Sequence, residues 1–286
     1  MSAEPRLVRS RDNAQVKQLL RLATSSRERR RTGATLLDGA HLVDAYAQSG
    51  GIAEVLAASE TAYADPSVRA LFERVRARVS LLLSDALIAR VSQVVTSSGI
   101  LAVVRTPEPE PMPEVIGNCI VLDGIQDPGN LGSILRSTVA AGVRHVFLAP
   151  GSVFAWAPKV VRAGQGAHFF LSIYEDVALD RLAQRLRGRL VATDARVQRS
   201  LFECDLRGPI AWLFGNEGAG ISAAAARLAV ETVSVPMPGK AESLNVAAAA
   251  AICLFEQVRQ TAFPRPDPLP KGEGATPLFR REKGRG

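Results

Sequence analysis

Apolar positions open the chain at near-helical spacing. Val16, Leu19, Leu20 and Leu22 share one stripe of AQVKQLLRLATSSRERR, which is predicted to be a single helix ending in a basic block. ATLLDG (strand), AHLVDAYAQ (helix), IAEVLAAS (strand), a helix after Asp65-Pro66, RVSLLLS (strand), DALIARVSQ (helix) and GILAVVR (strand) follow. Such alternation predicts a small layered α/β unit. TPEPEPMPE, Thr106 to Glu114, then spaces four prolines among acids. A run of this kind is extended and stiff, and it reads as an interdomain linker.

Beyond the linker the alternation resumes. NCIVLDG, HVFLAP, FFLSIY, GRLVATDA, PIAWLFG and ETVSVPM are candidate strands. LGSILRSTVAAG, APKVVRAG, DRLAQRLRG, a short segment after Ile221 and NVAAAAAICLFEQVRQ are candidate helices. Strands that are apolar on both faces and alternate with helices belong to a parallel sheet covered on each side. Ligands of such sheets sit outside the carboxyl ends of the strands, so special residues are expected in the loops that follow them. The division is therefore 1–105, a linker at 106–114, a second domain at 115–262, and a Pro- and Gly-rich basic tail at 263–286 expected to be disordered.

Composition changes this picture in three ways. The 286 residues are 47% hydrophobic, which suits a buried core, yet no apolar run approaches the roughly 20 residues of a membrane-spanning helix. The first residues, MSAEPRLVRSRDNAQ, lack the apolar centre of a signal peptide, so a cytoplasmic protein is expected. The net charge is +7, concentrated in SSRERRR and in FRREKGRG. A basic balance favours anionic partners, nucleic acid foremost, although liberal use of arginine produces the same total. Arg27, Arg29, Arg30 and Arg31 are the candidate nucleic-acid contacts. Cys119, Cys204 and Cys253 form no CxxC pair, and His41, His145 and His168 are scattered, so neither a disulfide scaffold nor a metal site is expected. His145 and His168 read as structural.

Three loops carry the candidate chemistry. In LDGIQDPGNLGSILRSTVAAG, Pro128 and Gly129 make a tight turn, Asn130 can bond local backbone groups, and Arg136 lies on the next helix near the expected mouth of the site. In LFGNEGAGIS, three glycines in six residues follow a strand, where glycine admits a ligand close to the backbone. Glu217 within it either pairs with a cation, Arg136 being the candidate, or caps backbone donors. In VPMPGKAESLNVAAAAAICLFE, Ser243 and Asn245 stand at a helix start, as caps or as site residues. No loop fits GxGxxG or GxxxxGK[ST], which argues against a dinucleotide or Walker-type site.

Taken in this order, the three segments resemble the SpoU (TrmH-like) branch of the SPOUT RNA methyltransferases over about Gly117 to Gln257. More loosely, SRDNAQVKQLLRLATSSRERRRTGATLLDGAHLV resembles the RNA-binding domain that often precedes this catalytic domain, which is itself similar to a small ribosomal protein of the kink-turn-binding type. The resemblance implies a parallel α/β domain whose C-terminal segment threads a loop to form a trefoil knot, preceded by a small α/β RNA-binding domain. It implies S-adenosylmethionine as cofactor, with Gly215, Val235 and Leu244 holding the adenosine part and Met237, Pro238, Ser243 and Asn245 beside them. It implies methyl transfer to a ribose 2′-hydroxyl of RNA, with Asn130, Arg136, Glu217, Ser243 and Asn245 as the characteristic polar residues and Arg136 either activating or orienting the hydroxyl. Glu217 and Asn130 would fix the orientation of Arg136. It further implies a homodimer, for which the Ala-rich helix Asn245 to Gln260 is an interface candidate.

The sequence departs from the family pattern at Gly164-Gln165 and in VSQVVTSSGILAVV, where an Asp and a Pro-Gln are common. The N-terminal domain favours ribosomal RNA as substrate over transfer RNA. A non-catalytic RNA-binding protein on the same fold and a small-molecule Rossmann-type enzyme are the other classes. The intact polar set argues against the first, and the missing glycine fingerprint argues against the second.

Overall fold

A computed structural model describes residues 5–92 and 97–262. The expected basic tail, 263–286, lies outside the described residues. The first domain comprises β1 (Arg6–Val8), α1 (Ala14–Thr24), α2 (Ser26–Thr32), β2 (Ala34–Asp38), α3 (Ala40–Gln48), β3 (Ala53–Ser59), α4 (Glu60–Ala64), α5 (Pro66–Arg74), β4 (Ala77–Leu83), α6 (Asp85–Val91) and β5 (Ile100–Arg105). Its five strands form one sheet in the order β1-β4-β3-β5-β2, parallel through β1, β4 and β3 and antiparallel where β5 meets β3 and β2. The expected layered α/β unit is present, with β1 and α4 as additions that the hydrophobic pattern was too short to reveal.

The single basic helix expected over Ala14 to Arg30 is instead two. Asn13 caps α1 by accepting the N–H groups of Gln15 and Val16. Ser25 leaves helical geometry at φ −119° and ψ 111°, and its hydroxyl accepts the Glu28 N–H to start α2. Serine competes for local backbone groups in this way and therefore favours a cap over a helix interior.

Residues 106–114 contain neither helix nor strand. The second domain then runs β6 (Cys119–Asp123), α7 (Pro128–Ala140), β7 (His145–Leu148), α8 (Pro158–Gly164), a 3-10 turn (Ala167–Phe170), β8 (Ser172–Tyr174), α9 (Leu179–Ala183), β9 (Arg189–Thr193), a second 3-10 turn (Leu201–Glu203), β10 (Ile210–Gly215), α10 (Ala223–Ala226), β11 (Glu231–Val233) and α11 (Val246–Ala262). The six strands are all parallel, in the order β11-β9-β10-β6-β7-β8. Three expected elements are shorter than their apolar patterns. Phe169 and Phe170 belong to the 3-10 turn, because Gln165 and Gly166 turn the chain at φ 50° and 86°. DRLAQRLRG leaves the helix after Ala183 because Arg185 and Arg187 pair across to Ile116. ETVSVPM ends as a strand at Val233, where Ser234 bridges to Ser200.

Chain order steps outward from β6 to β7 and β8, then crosses to β9 and β10 on the other side, so the order reverses between β6 and β10. Their carboxyl ends, Asp123 and Gly215, lie in register beside each other. Helix α11 packs on α7 and β10. Gln257 of α11 accepts the buried Trp212 indole N–H at 2.8 Å and donates to Asn118 Oδ1, which also accepts the Ile210 N–H. Such pairing is what a buried amide and indole require.

The two domains share a packed boundary. Leu37, Leu42, Val43 and Tyr46 of the first belong to the same buried cluster as Trp156, Ala167 and the core of the second. Tyr46 meets Phe169 edge-on at 5.1 Å, and the Arg30 guanidinium lies over the Phe154 ring at 4.2 Å. His168 is fully buried with Nε2 on the Ala155 carbonyl, and burial lowers its pKa to about 4, so it is a neutral core residue as expected.

Helices α7 and α8 approach closely at Gly132. A Cβ there would strike Ala163 and would come to 2.7 Å from Gly164 N and Val160 O. Backbone atoms cannot retreat as a flexible side chain can, so Gly132→Ala is expected to cost about 1–3 kcal/mol. A fall in the urea midpoint with unchanged slope checks this; an unchanged midpoint would show that the helices part freely.

Candidate functional site

Asp123 ends β6 and accepts the Ser222 N–H at 2.7 Å, tying the loop after β10 back to the neighbouring strand. Asn216 folds that loop. Its backbone pairs with Gly220 in both directions at 2.9 Å. Its Oδ1 accepts from Gly218 and Ala219, and its Nδ2 donates to the Gly124 carbonyl at 2.8 Å. A Cβ on Gly215 would collide with Gly220 and the Ile221 nitrogen. Glycine is required at 215 because the loop folds back over it, so the closest approach there is by the protein's own backbone.

The fold-back delivers Glu217. Its carboxylate accepts the N–H of Gln126 at 3.2 Å, the N–H of Asp127 at 3.0 Å and the Asn130 amide at 3.0 Å. Asp127 caps α7 by accepting the Asn130 N–H. Asn130 Oδ1 in turn accepts from Asn245 Nδ2 at 2.8 Å, and Asn245 Oδ1 caps α11 by accepting from Ala247 and Ala248. One relay thus joins residues 115 positions apart in the chain. The cap reading of Asn245 holds, and its amide also reaches Asn130, because it has an acceptor for one task and donors for the other.

The relay borders a cavity of about 730 Å³ at the carboxyl ends of β9, β10 and β11. Asn130, Glu217, Gly215, Val235, Met237, Ser243, Leu244 and Asn245 all face it, so eight of the expected site residues share one space. Sequence reasoning missed the contribution of β9: Thr193, Asp194 and Arg196 also line it, as do Asn216, Ile221 and Val246. TDAR contains no glycine and fits no motif. Its only signal is its place just after a strand of a parallel sheet.

Three expectations need correction. Arg136 neither pairs with Glu217 nor lines the cavity, and no hydrogen bond or ion pair of its guanidinium occurs among the described residues. Glu217 is already occupied by three donors, and Arg136 stands on the exposed face of α7, so Glu217 and Asn130 do not fix its orientation. Pro238 is exposed and outside the lining, turned away between Met237 and Gly239. Arg29 is buried at 4% exposure, with its guanidinium donating to the Leu22 carbonyl and to Ser26, so it braces the α1–α2 break and is closed to nucleic acid. Of the other basic candidates, Arg27 is exposed, Arg30 covers Phe154, and Arg31 makes a two-pronged pair with Glu28.

The cavity suits a nucleoside-sized cofactor on three grounds. Its volume falls within the about 300–1,000 Å³ of small-ligand pockets. Apolar Val235, Met237, Leu244 and Ile221 offer faces for a ring. Its polar lining offers acceptors and hydroxyls, and among the described residues there is no group of His, Cys, Asp and Glu fit to hold a metal.

Comparison with known proteins agrees with this geometry. The profile of the SpoU rRNA Methylase family matches residues 117–255, and that of the MRM3-like substrate binding domain matches residues 13–102. The chain is 33% identical over 265 residues to an uncharacterized tRNA/rRNA methyltransferase of Synechocystis, covering 88% of this chain and 93% of that protein. It is 32% identical over 256 residues to the 23S rRNA (guanosine(2553)-2′-O)-methyltransferase RlmP of Bacillus subtilis, covering 87% and 97%. Among solved structures, the SpoU methyltransferase AviRb of Streptomyces viridochromogenes in complex with AdoMet superposes with a TM-score of 0.78 at 29% identity, over 88% of this chain and all (100%) of that one.

Burial works to raise the Glu217 pKa, but hydrogen bonds from Asn130 and from backbone N–H groups outweigh it and leave the carboxyl below its ordinary value. A lowered folded-state pKa contributes stability above the unfolded value and loses it as pH falls through the folded value. The Asp127 and Asn130 amide resonances are therefore expected to hold steady at neutral pH and to shift together at a pH below the ordinary glutamate range. In Glu217→Gln that shared step should vanish. Its persistence would assign the closure to another group.

Proposed function

The chain belongs to the SpoU rRNA methylase family, and on that premise we propose that it transfers a methyl group from S-adenosylmethionine to a ribose 2′-hydroxyl of ribosomal RNA. One observation carries the reading at the site: the Glu217–Asn130–Asn245 relay closes three separated loops around a single cavity of the right size. The matched substrate-binding segment and the near full-length similarity to a 23S ribosomal RNA methyltransferase support RNA, and ribosomal RNA in particular.

The cofactor supplies a methyl group already activated on a sulfonium, so the protein's share is to bind, orient and stabilise charge. Gly215, Val235, Met237 and Leu244, which line the cavity, would hold the adenosine part, with Ser243 and Asn245 beside them. Arg136 is the residue for the incoming RNA. A guanidinium stays protonated near neutrality, so it orients the 2′-oxygen or a neighbouring phosphate and stabilises negative charge as it develops. Its exposure on α7 leaves its donors free for that task.

We assign residues 1–105 to RNA binding and 115–262 to catalysis, with 106–114 as the linker. The C-terminal segment entering α11 is assigned the family's trefoil knot. The protein works as a cytoplasmic homodimer. Phe255, 47% exposed on α11, supports a second copy covering that helix. No helix among the described residues is long and apolar enough to cross a membrane.

Incubation with labelled S-adenosylmethionine and total RNA from a strain lacking the gene, followed by mapping of 2′-O-methyl positions, tests the substrate. A site in ribosomal RNA is expected; label confined to transfer RNA would move the substrate, and no label in any RNA would remove the activity. Arg136→Ala should abolish transfer while cofactor binding, read by calorimetry, stays within about twofold. Replacing Arg27 and Arg31 by Ala should weaken RNA binding and flatten its log–log salt dependence by about 0.7 for each single-strand phosphate that is no longer neutralised. Unchanged slope in that variant would place the RNA elsewhere on the surface.

A further inference from the structure

Four charged residues line the cavity: Asp194, Arg196, Glu217 and Glu242. Among the described residues of that lining, Arg196 is the one cation. Glu217 is consumed by the relay. Asp194 and Arg196 instead form a unit of their own at the carboxyl end of β9. The Asp194 N–H donates to the Val233 carbonyl, which pins the turn to β11. Asp194 Oδ1 accepts the Arg196 backbone N–H at 2.9 Å, the local turn that aspartate makes two residues on. The Arg196 side chain then folds back in a two-pronged pair, Nε to Oδ1 at 3.0 Å and Nη2 to Oδ2 at 2.8 Å.

A guanidinium has five N–H donors. The Asp194 carboxylate occupies two of them, and the outer edge of the fork remains open in a side chain that is 85% exposed. A plane of donors held from behind by a fixed carboxylate loses little freedom on meeting a second carboxylate. The backing carboxylate is itself 28% exposed and can receive an ammonium beside the fork.

We propose that Arg196 and Asp194 hold the amino-acid end of the cofactor, Arg196 taking the α-carboxylate and Asp194 the α-ammonium. The assignment rests on the reading of the cavity as the S-adenosylmethionine site and adds an orientation to it. The adenosine part occupies the side formed by Gly215, Val235 and Leu244, and the zwitterionic end lies toward the β9 turn. The ligand carries an anion that needs a cation, and this lining supplies that cation at one position only.

Calorimetry of the full chain at low salt with three probes tests it: S-adenosylmethionine, S-adenosylhomocysteine, which lacks the sulfonium charge, and 5′-methylthioadenosine, which lacks the amino-acid end. Arg196→Ala should weaken the first two about tenfold, the low end for a charge-assisted bond because the guanidinium is so exposed. It should leave 5′-methylthioadenosine within about twofold. Arg196→Lys should recover part of the loss, and Asp194→Asn, which keeps the turn's acceptor, should show the same selectivity for the complete ligands. Equal weakening of all three probes would overturn the proposal in favour of a role in shaping the adenosine side. No weakening, together with a loss of RNA affinity, would overturn it in favour of an RNA phosphate. If the unaltered protein binds none of the three, the cofactor reading itself fails, a result separate from either.

Discussion

The Glu217 carboxylate closes the site, and little of its shape would survive without it. Loops of parallel sheets emerge separately, each tied only to its own strand end. Here a single acid gathers two of them by taking two N–H donors from the β6–α7 connection and one from Asn130 in the first turn of α7, and Asn130 passes the constraint to Asn245 at the head of α11. Ordering three loops independently would cost conformational entropy at each. Joining them through one carboxylate and two amides makes the order mutual, so the loops hold one another in place. The glycines serve the same end: Gly215 gives the fold-back room, and Gly220, at φ 72°, lets the turn return to Asn216.

The same closure reaches the first domain. The β6–α7 connection that Glu217 holds is also held from its other side, where the Val153 N–H donates to the Ile125 carbonyl at 2.7 Å. Next to Val153 is Phe154, covered by Arg30 of α2, and beyond it Glu175 accepts the Ala155 N–H. Below them Asp38 of β2 stands 4.0 Å from Arg162 of α8. A guanidinium over an aromatic face at a domain boundary contributes about 0.5–1 kcal/mol where it is exposed. That is small beside the shared apolar cluster, so packing fixes the domains and Arg30 sets where the basic helix lies relative to the loops. The helix that carries the exposed arginines thus rests against the loop that follows β7.

Much of this was legible in the sequence, and the reasons are physical. Alternating apolar runs long enough to fill a strand or two helical turns revealed the layered architecture, because burial enforces a period over such lengths. Glycine and proline after strands revealed two of the loops around the cavity and the mouth of the third. What stayed hidden fell into two kinds. Short elements, β1 and α4, hold too few residues to show a period, and Ser25 breaks a helix that the apolar stripe alone would carry through. Pairings between distant side chains were hidden as well: nothing local says that Glu217 meets Asn130 and leaves Arg136 alone, that Arg29 turns inward to Leu22, or that Thr193 to Arg196 line the cavity.

Of the two expected roles for Glu217, capping backbone donors holds and pairing with Arg136 does not, and this arrangement is the more useful one. A guanidinium locked against a carboxylate inside the relay would have two of its five donors taken and its charge compensated, leaving a weaker field for an oxyanion or phosphate. Giving the carboxylate to amides and backbone N–H groups satisfies it without a cation, since each of those donors is neutral. The arginine then keeps its fork exposed at the protein surface, without a hydrogen-bond or ion-pair partner among the described residues. At Arg196 the opposite solution appears, a guanidinium backed by its own aspartate. An uncompensated charge attracts a polyanion from a distance, whereas a paired group presents two opposite charges at once, which suits a compact zwitterion.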